Sequence, residues 1–216
     1  MELLHTAHVP VGAGPFPTII ALHGWGASAH DLLGLAPLLH GGEALVLCPQ
    51  GPVEVPVGPG IVGHGWFPLV PGQPPDPEEF LKGARALRAF FAAARETYPV
   101  DPEKVVLLGF SQGGAMAYEW ALSEPESVAG LVALATWLPD TLADAVGTKP
   151  EQAGLPVLVL HGTQDTMVSI DMARASRERL RDFGVNLMYR ELEMAHEISR
   201  EALQIIVRWL DEKAFG

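Results

Sequence analysis

Six short runs of apolar residues recur along this sequence, and each run is nearly continuous instead of alternating apolar with polar residues. They occupy residues 17–24, 43–49, 103–110, 128–135, 156–162 and 185–192. Strands of a parallel sheet that is covered on both faces have this pattern. Amphipathic segments with helical spacing lie at about 29–40, 78–98, 112–124, 169–183 and 198–213. This order predicts an α/β fold, with a mostly parallel central sheet of about six to seven strands and helices on both faces.

The chain has no evident internal boundary. Neither an internal repeat nor a Ser-rich or charged linker divides its 216 residues, so we expect a single domain over 1–216 with a candidate edge strand at 2–9. Residues 50–77 are irregular, because they are dense in proline and glycine and are long for a connection in a compact domain. Long ordered loops tend to be functional, and exposed Trp66 and Phe67 would be a liability. We therefore expect this loop to form a pocket wall.

Composition and charge exclude several classes of partner. The net charge of −12 and the isoelectric point near 5.0 argue against nucleic acids and anionic membrane surfaces. Cys48 is the only cysteine, so no intrachain disulfide can form, and its apolar context favours a packing role. The first residues lack the pattern of a signal peptide, and no apolar stretch has the length of a membrane span. We expect a cytoplasmic protein that is a monomer or a homodimer.

A serine lies at the turn between the third apolar run and a helical segment rich in small residues. Residues 107–120 read LLGFSQGGAMAYEW, in which Ser111 lies two positions from both Gly109 and Gly113. A G-x-S-x-G string between a strand and a helix is typical of the nucleophile turn of α/β hydrolases, whose tight backbone excludes side chains at both glycine positions. The string alone is weak in a chain with 23 glycines, but its placement makes Ser111 a candidate nucleophile.

A serine hydroxyl needs an adjacent base, which is usually a histidine oriented by a carboxylate. In this architecture the order along the chain is serine, acid, histidine. Of the eight histidines, His161 and His196 follow Ser111. His161 ends an apolar run, and we expect it to shape the turn that follows. His196 comes directly after the last apolar run, where a base can reach the serine, and is the candidate base.

The acid is expected in the loop that follows the run at 156–162. Asp165 lies in that loop and is the favoured candidate. Asp171 lies near the first turn of the next helix, where an acidic residue commonly complements the helix dipole. Asp140 follows the preceding strand and stays open, because some hydrolases supply the acid from that position.

An oxyanion hole requires two backbone N–H groups that point at the developing negative charge. One is expected from Gln112, the residue after the candidate nucleophile, at the positive end of a helix. The other is expected from the loop after the first apolar run, which reads LHGWGASAHDLLGLAPLL. Gly24 and Gly26 let this loop fold close to the serine, which makes Trp25 the second candidate donor.

These segments together resemble the phospholipase/carboxylesterase family of α/β hydrolases, which includes the acyl-protein thioesterases. The resemblance rests on LHGWG and DLLGLAPLL, CPQGP, the Trp-Phe pair at 66–67, DPEKVVLLGFSQGGAMA, HGTQDTMVS and AHEIS, in this order. Three departures from the family pattern are Ala27 where an aspartate is common, Pro68 after the Trp-Phe pair, and Ala195 before the histidine. The first two put in doubt any transfer of substrate preference.

The resemblance implies an α/β-hydrolase fold without a large cap domain. It also implies hydrolysis of carboxylic esters or thioesters through an acyl-enzyme by a triad of Ser111, Asp165 and His196, without a metal ion or another cofactor. Apolar residues on predicted loops are candidate pocket walls for a small-molecule ester or thioester substrate: Trp25, Trp66, Phe67, Trp137, Met167 and Val168. The alternatives are an acyl-protein thioesterase or lysophospholipase, a peptidase or other acyl transferase, and a non-catalytic binding protein on the same fold.

Overall fold

A seven-stranded sheet forms the centre of the structure, a computed structural model that describes residues 3–70 and 72–216. The strands along the chain are β1 (His5–His8), β2 (Phe16–Leu22), β3 (Leu45–Pro49), β4 (Val53–Gly58), β5 (Ile61–Gly65), β6 (Val100–Phe110), β7 (Gly130–Leu134), β8 (Pro156–Gly162) and β9 (Asn186–Leu192). The central sheet has the order β1-β3-β2-β6-β7-β8-β9, and β4 and β5 form a separate hairpin. Only the β1–β3 pair of the central sheet is antiparallel. The predicted mostly parallel α/β fold is confirmed.

Both faces of the sheet are covered, which explains why its strands read as continuous apolar runs. The helices are α1 (Pro77–Thr97), α2 (Gln112–Ser123), α3 (Asp140–Val146), α4 (Ile170–Asp182) and α5 (Arg200–Trp209). Within β2, Ile20 and Leu22 pack in the core with residues of α1 to α4, whereas Ile19 and Ala21 pack in a second core with residues of α5. Successive strand residues point to opposite faces, so two cores require an apolar residue at every position.

The segment 29–40, predicted as a helix, is not an α-helix. It is made of turns that include short 3₁₀ helices at Leu33–Leu35 and, extending past the segment, Leu39–Gly42. Gly34 and Pro37 lie in its interior, and both residues disfavour a continuous α-helix. This correction leaves one face of the sheet covered by α5 and by turns.

Two further elements differ from the sequence prediction. The stretch 50–77, expected to be irregular, contains the β4–β5 hairpin and the first residue of α1. Helix α3 follows β7 and was not anticipated. The candidate edge strand at 2–9 is observed as His5–His8, and Glu2 lies outside the described residues. Among residues 3–70 and 72–216, no helix combines the length and apolar character needed to cross a membrane.

Candidate active site

Ser111 occupies a strained turn between β6 and α2. Its backbone has φ 53° and ψ −121°, outside the regions that L-residues usually adopt. The turn is fixed by the Ser111 N–H, which donates to Leu134 O at 2.9 Å, and by the Thr136 hydroxyl, which donates to Ser111 O at 2.7 Å. A Cβ at Gly109 would lie 2.5 Å from Gly113 O, so the close contact across the turn requires glycine. The turn therefore presents the serine at the carboxyl end of the sheet.

Ser111, His196 and Asp165 form a continuous chain of hydrogen bonds. His196 Nε2 lies 3.0 Å from Ser111 Oγ, and His196 Nδ1 lies 2.8 Å from Asp165 Oδ2. Because an ionised carboxylate accepts and cannot donate, the His196 proton is on Nδ1 and the lone pair of Nε2 faces the serine hydroxyl. This is the tautomer that a general base needs. The structure thus brings together the three residues proposed from the sequence order.

The loop that follows β8 holds the Asp165 carboxylate in one orientation. Its Oδ1 atom accepts hydrogen bonds from the N–H groups of Met167 at 2.8 Å and Val168 at 2.9 Å. Burial acts to raise the pKa of this carboxyl, but hydrogen bonds from His196 and from the two N–H groups outweigh burial, so the pKa lies below its usual 3.8. Asp165 is therefore a carboxylate near neutral pH, with one oxygen reserved for His196.

Among the described residues, the other candidates for acid and base make no hydrogen bond to Ser111 or His196, although His161 Nε2 lies 3.6 Å from Asp165 Oδ2. The side chains of Asp171 and Asp140 are 86% and 84% exposed, and both face arginines on α4. His161 is buried beneath the acid loop, where its Nε2 donates to Val168 O at 2.8 Å. This contact agrees with the expectation that His161 shapes the turn.

The two candidate oxyanion donors lie beside Ser111. The Gln112 N–H begins α2, and the loop that carries Trp25 passes so close that a Cβ at Gly24 would lie 3.2 Å from Ser111 Cβ. In the part of the chain that the structure describes, neither the Trp25 nor the Gln112 N–H donates a hydrogen bond to another protein group. Both N–H groups are thus available to a ligand, and the start of a helix adds partial positive charge.

A network of buried polar groups lies beneath these donors, and sequence reasoning did not anticipate it. The Gln112 side chain accepts from the Trp66 N–H and donates to Phe67 O, both at 2.7 Å. The Trp66 indole N–H donates to His23 O at 2.9 Å. The His23 ring donates from Nδ1 to Gly24 O at 2.7 Å and accepts the Gly51 N–H at Nε2. Burial lowers the pKa of His23, consistent with this neutral tautomer.

A cavity of about 640 Å³ opens over Ser111 and His196. Four residues proposed as pocket walls line it: Trp25, Trp137, Met167 and Val168. Further lining residues that the sequence reasoning missed are Asp31, Leu32, Leu69, Phe110 and Ile198. Leu69 follows the β4–β5 hairpin, and Ile198 lies two positions after His196. Both therefore belong to loops that the sequence already assigned to the site. The walls are predominantly apolar, which suits an uncharged acyl or aromatic group.

The structure corrects the expectation for Trp66 and Phe67. Both side chains are fully buried in the core with α1 and α2, and neither lines the cavity. The Phe67 ring packs against Phe80 with the ring centroids 4.9 Å apart. An apolar residue in a loop can face either a cavity or the core, and the residue type alone does not distinguish the two.

Among the described residues, no group of three or more His, Cys, Asp or Glu side chains is arranged to hold a metal ion. The polar groups at the cavity are those of the serine, histidine and oxyanion loops. Nucleophilic acyl transfer can be carried out by such groups alone.

Comparison with known proteins identifies the family of this chain. A family model described as phospholipase/carboxylesterase matches residues 11–213. The chain belongs to this family. It is 30% identical to carboxylesterase SOBER1 of Arabidopsis thaliana over 166 residues, which cover 73% of this chain and 71% of that protein. It is 28% identical to a probable carboxylesterase of the same plant, over 71% of this chain and 61% of that protein.

Solved structures extend the likeness to nearly the whole fold. The crystal structure of esterase PE8 has a TM-score of 0.81 and 24% identity, and the match covers 99% of this chain and 100% of that one. At this identity the match supports the fold alone. The crystal structure of Arabidopsis thaliana SOBER1 has a TM-score of 0.76 and 25% identity, over 91% of this chain and 98% of that one.

Proposed function

We propose that this protein is a serine carboxylesterase in which Ser111 is the nucleophile, His196 the general base and Asp165 the group that orients the base. The observation that carries the proposal is the hydrogen-bond chain from Ser111 Oγ through the His196 ring to Asp165 Oδ2, with steps of 3.0 and 2.8 Å. Its serine end opens into an apolar cavity. Membership of a carboxylesterase family supports the same reaction class.

The reaction follows from the positions of the protons. His196 Nε2 takes the proton of Ser111 Oγ as this oxygen attacks the carbonyl carbon of the ester. The oxyanion accepts hydrogen bonds from the N–H groups of Trp25 and Gln112. The imidazolium, stabilised by Asp165, then gives its proton to the departing alcohol, which leaves Ser111 acylated. Water attacks the acyl carbon and gives its proton to His196, which passes it to Ser111 Oγ as the bond to the acyl group breaks and the acid departs.

The cavity favours esters with small or acyl-chain groups that carry no charge. Its walls include Trp25, Trp137 and Leu69, and no Lys or Arg side chain lines it among the described residues. An acidic or phosphate-bearing acyl group would find no cation to pair with. Thioesters present the same carbonyl and remain a candidate substrate class. A cytoplasmic location and a monomeric or homodimeric state stay predictions.

The test compares wild type with Ser111→Ala in the hydrolysis of p-nitrophenyl butyrate. We expect kcat to fall by at least about 10³-fold, because the residual activity comes from binding and the oxyanion hole alone. Ser169→Ala is the matched control, since Ser169 is exposed and its side chain makes no capping hydrogen bond. A fluorophosphonate should label wild type and Ser169→Ala but not Ser111→Ala. Retained turnover in Ser111→Ala would refute the assignment.

A series of acyl chains then defines the substrate. p-Nitrophenyl esters of increasing chain length, matched thioesters and a lysophospholipid are compared by kcat/KM. We expect the uncharged esters to be preferred over the lysophospholipid, because its phosphate group has no Lys or Arg partner at the cavity wall among the described residues. Preference for the lysophospholipid would contradict this substrate class and leave the triad assignment intact.

A further inference from the structure

The two candidate oxyanion donors come from different loops. Both N–H groups can bind one oxyanion only if the distance and angle between them are fixed. Leu22 of β2 pairs with Gly109 of β6, and each donor lies three positions beyond its member of this pair. Strand pairing therefore brings Trp25 and Gln112 to the same edge of the sheet. It does not fix the separation of their N–H groups, because both have left the strands.

Trp66 connects the two loops through hydrogen bonds of its own. Its indole N–H donates to His23 O at 2.9 Å, and its backbone N–H donates to Gln112 Oε1 at 2.7 Å. The Gln112 amide also donates to Phe67 O at 2.7 Å, so the second contact is doubled. Trp66, His23 and Gln112 are all buried, and buried hydrogen bonds of this kind resist exchange with water. We call Trp66 with these hydrogen bonds the Trp66 brace.

We propose that the Trp66 brace sets the separation and direction of the two oxyanion donors, which makes Trp66 a positioning residue for ester hydrolysis. The inference rests on the function proposed above. Trp66 holds each loop within two residues of a donor: it binds the carbonyl of His23 on one side and the side chain of Gln112 on the other. It contacts neither the cavity nor the reacting atoms.

The direction of the Trp25 N–H follows from peptide geometry. The Gly24–Trp25 peptide is trans, so its C=O and N–H point in opposite directions. The carbonyl of Gly24 is held at 2.7 Å by the Nδ1–H of His23 and at 3.3 Å by the N–H of Ala27. The N–H of Trp25 is thereby turned away from these groups. The Trp66 indole holds the carbonyl of the preceding peptide, His23–Gly24, so we expect displacement of the indole to shift the Gly24–Trp25 peptide as well.

A role in core packing alone would require the ring of Trp66 but not its indole N–H donor. Trp120 provides the comparison within the same protein. It lies in the same core, is 3% exposed, and its indole N–H donates to Ser127 Oγ at 3.0 Å. It has no hydrogen bond to either oxyanion loop among the described residues. Trp66→Phe and Trp120→Phe therefore remove the same atoms and the same kind of hydrogen bond.

The experiment measures p-nitrophenyl butyrate kinetics and inhibition by an alkyl trifluoromethyl ketone in both variants. Addition of Ser111 Oγ to this ketone, with the proton passing to His196, leaves an oxyanion in the position of the transition state. For Trp66→Phe we expect kcat to fall by about tenfold or more, below the 10²- to 10³-fold cost of losing a whole donor. The inhibition constant should rise by a similar factor, with KM changed less than about twofold. Trp120→Phe should retain both values.

Two results would overturn the inference. One is a Trp66→Phe enzyme with wild-type kcat and ketone affinity, and the other is an equal loss in Trp120→Phe, which would mean a general effect of core packing. If Trp66→Phe does not fold, Gln112→Met decides, because it removes both side-chain hydrogen bonds of Gln112 and keeps its backbone N–H. Wild-type values in Gln112→Met would likewise refute the brace. Failure of the proposed function is distinct, since it would appear as an inactive wild type or an active Ser111→Ala.

Discussion

Replacement of Asp165 by asparagine tests the orientation of the base, because the structure dictates how the new side chain must lie. Asp165 Oδ1 accepts two backbone N–H groups, those of Met167 and Val168. An asparagine keeps these hydrogen bonds only if its carbonyl oxygen takes this place. Its NH₂ group then faces Nδ1 of His196, where the carboxylate oxygen stood at 2.8 Å.

The consequence is a change of tautomer. An NH₂ group donates and does not accept, so the His196 ring must present a lone pair at Nδ1 and carry its proton on Nε2. The Nε2 atom, 3.0 Å from Ser111 Oγ, is then unable to take the proton of the serine. Wrong-tautomer substitutions of this kind cost about 10⁴ in kcat, which corresponds to about 5.4 kcal/mol in the activation free energy.

The assay is hydrolysis of p-nitrophenyl butyrate, with thermal unfolding followed in parallel. We expect Asp165→Asn to fold. The substitution keeps the shape of the side chain and the two hydrogen bonds that its oxygen accepts from backbone N–H groups. Asp171→Asn and Asp140→Asn are the controls, because both carboxylates are exposed and they were the competing candidates. Near-wild-type kcat in Asp165→Asn, or a 10⁴-fold loss in either control, would refute the assigned acid.

Two predictions concern stability and reactivity outside the triad. In Gly113→Ala the new Cβ would lie 2.1 Å from Leu22 O, so we expect a loss of at least about 2 kcal/mol in unfolding free energy by denaturant titration. Gly34→Ala is the control, because nothing lies within 4 Å of its new Cβ. Equal stability of the two variants would contradict the predicted clash between the Cβ at position 113 and Leu22 O. Burial raises the pKa of Cys48 to about 12, so Ellman's reagent should react at pH 8 only after unfolding. Rapid reaction of the native protein would show that the thiol is accessible.

The sequence predicted the strands well because both of their faces are buried, but the helical pattern at 29–40 was misleading. Leu32, Ala36 and Leu39 are buried and follow one another at intervals of four and three, as on one face of an α-helix. In the structure they are buried from a series of turns, since Gly34 and Pro37 interrupt regular helix. The spacing of apolar residues indicates which side chains are buried. It does not show whether an α-helix or a series of turns places them there.

The hairpin at 53–65 was hidden for the opposite reason. Val53, Val55 and Val57 alternate with Glu54 and Pro56, but residues 53–65 include two prolines and four glycines, which are depleted in strands, so the composition predicts an irregular loop. Its role is also tertiary, because His64 exchanges backbone hydrogen bonds with Gly26 and Ala27 of the oxyanion loop. Such long-range pairing has no local signal in a single sequence.

The candidate triad could be proposed because fold and chain order restrict it to few residues. Histidines before Ser111 do not fit the order serine, acid, histidine. The loops after β8 and β9 supply the candidate acid and the candidate base. The polar network beneath the site could not be proposed in this way. The side chain of Gln112 and the backbone N–H of Trp66 meet across 46 positions of sequence, and neither segment carries a local signal of this contact.

The chain order of the triad has a consequence for synthesis. His196 lies 85 positions after Ser111 and follows β9, the last strand to be made among the described residues. Because a protein leaves the ribosome with its N-terminus first, the nucleophile turn and the acid loop are made well before the base. If the proposed triad is correct, we expect Ser111 of a nascent chain to be unreactive until β9 has joined the sheet and the following loop has brought His196 to Ser111. A serine-directed probe should consequently label chains in which His196 has reached Ser111 and leave shorter chains unlabelled.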